Sequence, residues 1–233
     1  MTAPTIAASV GKNGKNRADD VKVIQSLLNE PAVRQGKAPI PVNGTIGSHG
    51  DQDPTVQAIL AYQSLFLAKP DGRVDVSSSP QSTLQRLRTG WSFIVLPKEL
   101  GKGYYSYSPS DRQYGTPATI QALCEVARTV HFNDPTHPIG IGDISFANGG
   151  KMSPHASHRR GRHVDIRPMR KDGRTEPISI DNKEQYDHRR TCLLVDSLLA
   201  HKNVSAILFN DIDIRGVRWW KGHNNHLHVT MKE

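Results

Sequence analysis

Cysteine is scarce. The two in 233 residues are Cys124 and Cys192, and no Cys-x-x-Cys spacing joins them, so a thiolate zinc site is excluded. Both fall in stretches that read as amphipathic helices, where a buried free thiol is expected; a disulfide joining the helices fits poorly with synthesis in the cytosol. Aromatic residues make up only 6% and hydrophobic residues 36% of the chain, lean but enough for a folded core. No run approaches the ~18 apolar residues of a membrane span, so no integral membrane association is expected. The segment Met1–Val10 lacks both a basic n-region and an apolar stretch of signal-peptide length, so the expectation is a chain that starts in the cytoplasm. Acidic residues are outnumbered, 22 against 30 Lys and Arg, for a net charge of +8. A basic surface calls for an anionic partner: nucleic acid, acidic lipid or the anionic cell wall. No helix-turn-helix, RNP or zinc-finger pattern is visible, and nucleic acid is not expected.

Histidine, by contrast, is concentrated. Six of the eleven lie in two short windows, His155-Ala-Ser-His158-Arg-Arg-Gly161-Arg-His163-Val-Asp165 and His223-Asn-Asn-His226-Leu-His228. Residues two apart on a strand share a face, so His226 and His228 project together, as do His163 and Asp165 if 162–167 is a strand. Gly161 lets the chain turn after His158 and enter that strand. Two imidazoles and a carboxylate occupy three corners of a tetrahedral zinc and leave the fourth for water, the pattern of a catalytic site. His49, His131, His137, His188 and His201 read as ordinary.

His158-x-x-Gly161-x-x-x-Asp165 followed by His226-x-His228 resembles the motif of the LAS metallopeptidases, the lysostaphin-type and D-Ala-D-Ala peptidases. His155-Ala156-Ser157-His158 and Val164-Asp165-Ile166 are most similar to the penicillin-insensitive murein endopeptidase branch. The resemblance runs from about Tyr114 to the C-terminus and takes in Tyr114-Gly115-Thr116-Pro117 and Ile141-Gly142-Asp143-Ile144-Ser145. It implies a Zn2+ cofactor held by His158, Asp165 and His228, with His155 near the metal and His223 near the scissile bond. His226 is expected to be the general base, since a neutral imidazole can take a proton from water. The D-Ala-D-Ala branch carries a glutamate three residues before its last ligand; here that position is Asn225, an amide that accepts no proton. His163 is a departure, because related sequences often have a small or acidic residue there. Seven basic residues lie between Arg159 and Arg174, and a cationic rim that includes Arg160 and Arg162 would hold the carboxylates of a peptide stem.

Ahead of this region, residues 1–90 read as three short helices with polar turns. Asp19 or Asp20 caps a helix with Val21, Ile24, Leu27 and Leu28 at helical spacing, ended by Asn29 and Pro31. Asp53-Pro54-Thr55 opens a second, and Ser79-Pro80 a third. Asn43-Gly44-Thr-Ile46-Gly47 and Asp71-Gly72-Arg-Val-Asp75 form a weak internal repeat. Asp20-Val21-x-x-Ile24-Gln25-x-Leu27-Leu28-Asn29 with the Asn43-Gly44-x-Ile46-Gly47 turn resembles the small three-helix peptidoglycan-binding domain. The Gly- and Pro-punctuated stretch 91–112, with Tyr104, Tyr105 and Tyr107, reads as a linker that packs partly onto the next domain.

Residues 113–233 read as an α+β domain with a mostly antiparallel sheet. Helices are expected after Pro117 and over about 185–201, and strands over 138–145, 162–167, 204–209, 216–220 and 227–231. The fold expectation is thus a small all-helical N-terminal domain followed by a zinc peptidase domain. Together the resemblances imply a zinc-dependent peptidoglycan endopeptidase, with the D-alanyl to diaminopimelate bond favoured. A cytoplasmic start implies a dedicated exit to the periplasm or cell wall, as a phage-type endolysin with a holin or as an injected antibacterial effector with an immunity protein. The competing readings are a wall-binding protein without turnover, an L-alanyl-D-glutamate peptidase or carboxypeptidase, and a metal-dependent nuclease.

Overall fold

The computed structural model describes residues 4–34, 37–47, 50–98 and 103–232; His49 lies outside them. Contacts divide the chain into two units, Met1–Ser92 and Phe93–Glu233.

The first unit contains β1 (Val10–Gly11), α1 (Ala18–Arg34), α2 (Pro54–Gln63), β2 (Arg73–Val74) and α3 (Thr83–Arg88). β1 pairs antiparallel with β2, Val10 opposite Val74, so the unit is not purely helical as expected. Val10, Val21, Ile24, Val56, Ile59 and Val74 are fully buried between these elements. α1 runs through Pro31, although a proline removes one helical donor. Asn29 does not stop the helix either: its side chain clamps both backbone groups of Ile40, at 2.8 and 2.9 Å. Asp20 accepts from Ala7 and Ala8 N–H at 2.8 and 3.0 Å, so it anchors the preceding segment to α1. Asp53 caps α2 through Thr55 and Val56 N–H. Ser82, not Ser79-Pro80, caps α3.

The repeat is carried by two buried glutamines. Gln25 Oε1 accepts from Asn43 and Gly44 N–H, while its Nε2 reaches Asn43 Oδ1, Thr45 O and Thr55 Oγ1. Gln63 does the same one repeat later: Oε1 accepts from Asp71 and Gly72 N–H, and Nε2 reaches Asp71 Oδ1, Arg73 O and Thr83 Oγ1. Each glutamine thereby satisfies a glycine turn that would otherwise bury unpaired backbone groups.

The second unit contains β3 (Ile94–Val95), β4 (Tyr104–Ser106), β5 (Tyr114–Gly115), α4 (Pro117–Asn133), β6 (Ile139–Ile141), β7 (His163–Ile166), α5 (His188–Ala200), β8 (Val204–Leu208), β9 (Val217–Arg218) and β10 (Leu227–Met231). Six strands form one sheet in the order β4-β6-β7-β10-β8-β9. The three central pairings, β6–β7, β7–β10 and β10–β8, are antiparallel, and the outer two are parallel. The sheet is therefore mixed, antiparallel in the majority of its pairings and parallel at both edges. The stretch 91–112, expected as a linker packed partly onto the next domain, goes further: its described residues from Phe93 onward are built into this unit, where β3 pairs with β5, β4 is an edge strand, and Leu96 and Tyr104 are buried in the core.

α4 is opened by Thr116, whose Oγ1 accepts from Thr119 N–H, with Pro117 at the first helical position. Asp187 caps α5 in the same way through Arg190 N–H. Both helices send apolar residues (Ile120, Leu123, Val126; Leu194, Val195, Leu198) onto one face of the sheet, where they meet Ile139, Ile141, Val164, Ile166, Leu227 and Val229. Strand residues alternate faces, so the residues between these apolar positions, His163, Asp165 and His228, are turned to the other side. Among the described residues no helix is long and apolar enough to cross a membrane. Cys124 and Cys192 are both partly buried.

Candidate metal centre

The register of β7 against β10 places Asp165 directly opposite His228, and His163 opposite Thr230. Cross-strand partners stand about 4.5–5.5 Å apart at Cβ, close enough for their side chains to share an ion. A slip of one residue would turn every one of these groups into the apolar core. His158 arrives from the turn before β7, where Gly161 has φ +61° and its carbonyl accepts from Thr116 N–H at 3.0 Å. A Cβ at Gly161 would stand 2.9 Å from both Gly115 Cα and Thr116 N. Only glycine combines that backbone conformation with that approach.

Three donor atoms converge. His158 Nε2 lies 3.2 Å from Asp165 Oδ1 and 3.3 Å from His228 Nδ1, and His228 Nδ1 lies 3.0 Å from Asp165 Oδ1. With ligand distances of about 2.0–2.1 Å, the edge of a tetrahedral zinc polyhedron is about 3.3 Å. The triangle matches one face of that polyhedron. The outer nitrogens are already engaged: His158 Nδ1 lies 3.1 Å from Ile144 O, and His228 Nε2 lies 3.0 Å from His163 Nδ1 and 3.3 Å from Ser157 Oγ. A neutral imidazole that donates through one nitrogen presents a lone pair at the other, so both rings can offer a free pair to the interior. All three residues are buried, at 0%, 6% and 7% exposure for His158, Asp165 and His228.

His155 belongs to the same cluster. Donor atoms of His155, His158 and Asp165 lie within 4.8 Å of one another. Its Nδ1 is 3.7 Å from Asp165 Oδ2, however, and its Nε2 is held by Asp143 Oδ2 at 3.0 Å. The tighter triangle that includes His228 is the better fit to one ion. Asp143, quoted in the Ile141–Ser145 motif without a role, is the residue that braces His155. It also accepts from Arg112 Nη1 at 3.0 Å and Ser108 Oγ at 2.5 Å, so His155 hangs from a fixed carboxylate. The sequence signal was an acidic residue set between Ile141 and Ile144, both fully buried.

His226 Nε2 stands 3.9 Å from Asp165 Oδ1, while its Nδ1 lies 2.8 Å from Asn225 Oδ1. A proton donated from Nδ1 to the amide oxygen leaves the Nε2 lone pair facing the donor triangle. His223 packs beside it, with ring centroids 4.6 Å apart and 5.6 Å to His228. A tight turn with His223 N–H on Trp220 O and Gly222 at φ +85° puts it there. Trp219 and Trp220, at the start of this turn, are 61% and 60% exposed.

Burial would raise the Asp165 carboxyl, but its close polar contacts with the His158 and His228 rings and the neighbouring His158 and His226 outweigh it and hold the group below the usual carboxylate range. Burial, then the charges of His228, His158 and Arg162, lowers His163 to about 4. Burial also lowers His226, against the opposing pull of Asp165. At neutral pH these shifts keep the Asp165 carboxylate ionised and favour neutral rings at His163 and His226.

The basic cluster is only partly a rim. Arg167 stacks on Tyr107 at 3.9 Å, Arg170 pairs with Asp172, and Lys171 Nζ reaches Lys183 O. Arg160 and Arg162 flank Gly161 and are partly exposed.

Residues 95–205 match the penicillin-insensitive murein endopeptidase family. The match spans just under half of the chain and contains His155, His158 and Asp165. His226 and His228 lie beyond it, on and just before β10, which pairs with the matched strand β7. No curated protein matches the chain. The family match supports murein endopeptidase activity, hydrolysis acting on peptidoglycan.

Proposed function

We propose that this protein is a zinc-dependent peptidoglycan endopeptidase that cuts the D-alanyl to diaminopimelate cross-link. The observation that carries the metal reading is the donor triangle of His158 Nε2, Asp165 Oδ1 and His228 Nδ1, with edges of 3.0 to 3.3 Å. A zinc ion bound there supplies Lewis acidity to the scissile carbonyl and to water. His226, with Nε2 toward the triangle, takes the proton of the attacking water and delivers it to the leaving amine. His223 borders the same space and contacts the substrate near the scissile bond. His155, braced by Asp143, lines the other side. Arg160 and Arg162 hold carboxylates of the peptide stem through charge-assisted hydrogen bonds.

The first unit serves as a peptidoglycan-binding domain, a reading supported by the paired Gln25 and Gln63 turns that match its repeated motif. Mass spectrometry of purified cross-linked muropeptides after digestion tests the bond assignment. Dimers should fall to monomers with a free amine on diaminopimelate. Release of free D-alanine, or cleavage between L-alanine and D-glutamate, would reassign the enzyme as a carboxypeptidase or an L-alanyl-D-glutamate peptidase.

A further inference from the structure

His228 must present a lone pair at Nδ1 if it is to hold a metal, so its proton has to sit on Nε2. Asp165 works against that arrangement: its Oδ1, 3.0 Å from His228 Nδ1, is an acceptor that would draw the proton onto the inner nitrogen and close the donor. An acceptor on the outer side is needed to tip the balance. For many metal-bound imidazoles it is a carboxylate or a carbonyl, and His158 has the carbonyl of Ile144. For His228 the nearest outer group is another imidazole, His163 Nδ1 at 3.0 Å.

We propose that His163 is a positioning residue that accepts the Nε2 proton of His228 and thereby keeps His228 Nδ1 open to the metal. The inference rests on the zinc reading above. His163 reaches its partner because the two strands place His163 opposite Thr230, two residues beyond His228 on the same face. Thr230 Oγ1 lies 3.4 Å from the same His163 Nδ1, and the His163 and His228 rings stand 5.1 Å apart and tilted by 31°. Ser157 Oγ, at 3.3 Å from His228 Nε2, is the more distant alternative acceptor. In this role His163 is neutral with its own proton on Nε2. Nδ1 of histidine and Oδ1 of asparagine or aspartate stand the same number of bonds from Cβ. A short polar side chain can therefore replace the acceptor, whereas an apolar one of similar bulk cannot.

The test uses the full-length protein and two readouts. In the first, zinc affinity is measured by competition with a chromophoric chelator for wild type, His163→Asn, His163→Asp, His163→Leu and His163→Ala, with thermal melts confirming that each is folded. The Leu and Ala variants should bind zinc about 10- to 100-fold more weakly, the range for losing such a partner, while Asn and Asp stay near wild type. Wild-type affinity in the Leu variant, or an Asn variant as weak as Leu, would overturn the proposal. The second readout is the 15N–1H correlation of the His228 ring in zinc-free protein, with the proton on Nε2 in wild type and on Nδ1 in the Leu variant. An Nδ1 proton in wild type overturns the inference whatever zinc does. A wild type that binds no zinc but keeps the Nε2 proton sinks the zinc reading alone.

Discussion

Asp165 and His228 are cross-strand partners whose Oδ1 and Nδ1 atoms stand 3.0 Å apart, with His158 Nε2 3.2 and 3.3 Å from the same two atoms. The contact comes from strand register, so the site is as rigid as the centre of the sheet. Asp165→Ala or His228→Ala should abolish stoichiometric zinc in elemental analysis and reduce activity on sacculi by well over about 100-fold, beyond the cost of losing an outer partner. A variant that keeps full zinc content would remove that residue from the ligand set.

In the proposed site His226 is separate from the three ligands. His226→Ala should keep its zinc and fold yet lose about 10²- to 10⁴-fold in turnover, the usual contribution of a general base. Steady-state kinetics on a soluble cross-linked muropeptide reads this directly. Full activity in the variant would sink the assignment.

Gly161→Ala tests the backbone that delivers His158. At φ +61°, with the new Cβ 2.9 Å from two backbone atoms, the substitution should destabilise the second unit by about 1–3 kcal/mol. Denaturant melts would show the loss, and neutral stability would mean the turn can relax.

Arg190 gives a pH dependence away from the metal. Burial acts to raise the carboxyls of Asp134 and Asp187, but hydrogen bonds from Arg190 outweigh it and hold both below their ordinary value. Groups depressed in the folded state stabilise it above the unfolded carboxylate pKa of about 4, and that contribution disappears as pH falls through their folded values. Arg190→Met should therefore melt at a lower temperature than wild type at neutral pH, and the gap should narrow below about pH 4. A gap independent of pH would mean that Arg190 acts by packing alone.

The parts of the fold legible in the sequence are those where alternation or capping repeats over several residues. β10 was expected at its observed bounds because Leu227, Val229 and Met231 are buried while His228 faces the site. α4 announced itself through Thr116-Pro117 and the spacing of Ile120 and Leu123. β3 and β4 were hidden because strands of two and three residues carry no readable period, and the glycines and prolines around them resemble a linker. Pro31 misled because tertiary contacts, including Asn29 on Ile40, outweigh one missing helix hydrogen bond. The histidine windows marked the site, yet the Asp143 and His163 contacts depend on which strands become neighbours, and spacing along the chain does not carry that information.

The two-unit organisation predicts a division of labour. Removing residues 1–92 should slow digestion of intact sacculi by about 10- to 100-fold through loss of effective concentration, while turnover of soluble muropeptides stays close to that of the full chain. Equal losses on both substrates would mean that the first unit is needed for the second to fold.

The most direct measurement of the central claim follows release of cross-linked peptide from purified sacculis by the full-length protein while zinc is stripped with a strong chelator and then restored. Activity should vanish with the metal and return at about one zinc per chain, with products carrying a new amine on diaminopimelate. Undiminished cleavage in fully zinc-free protein, or no cleavage by protein loaded with one zinc, would contradict it.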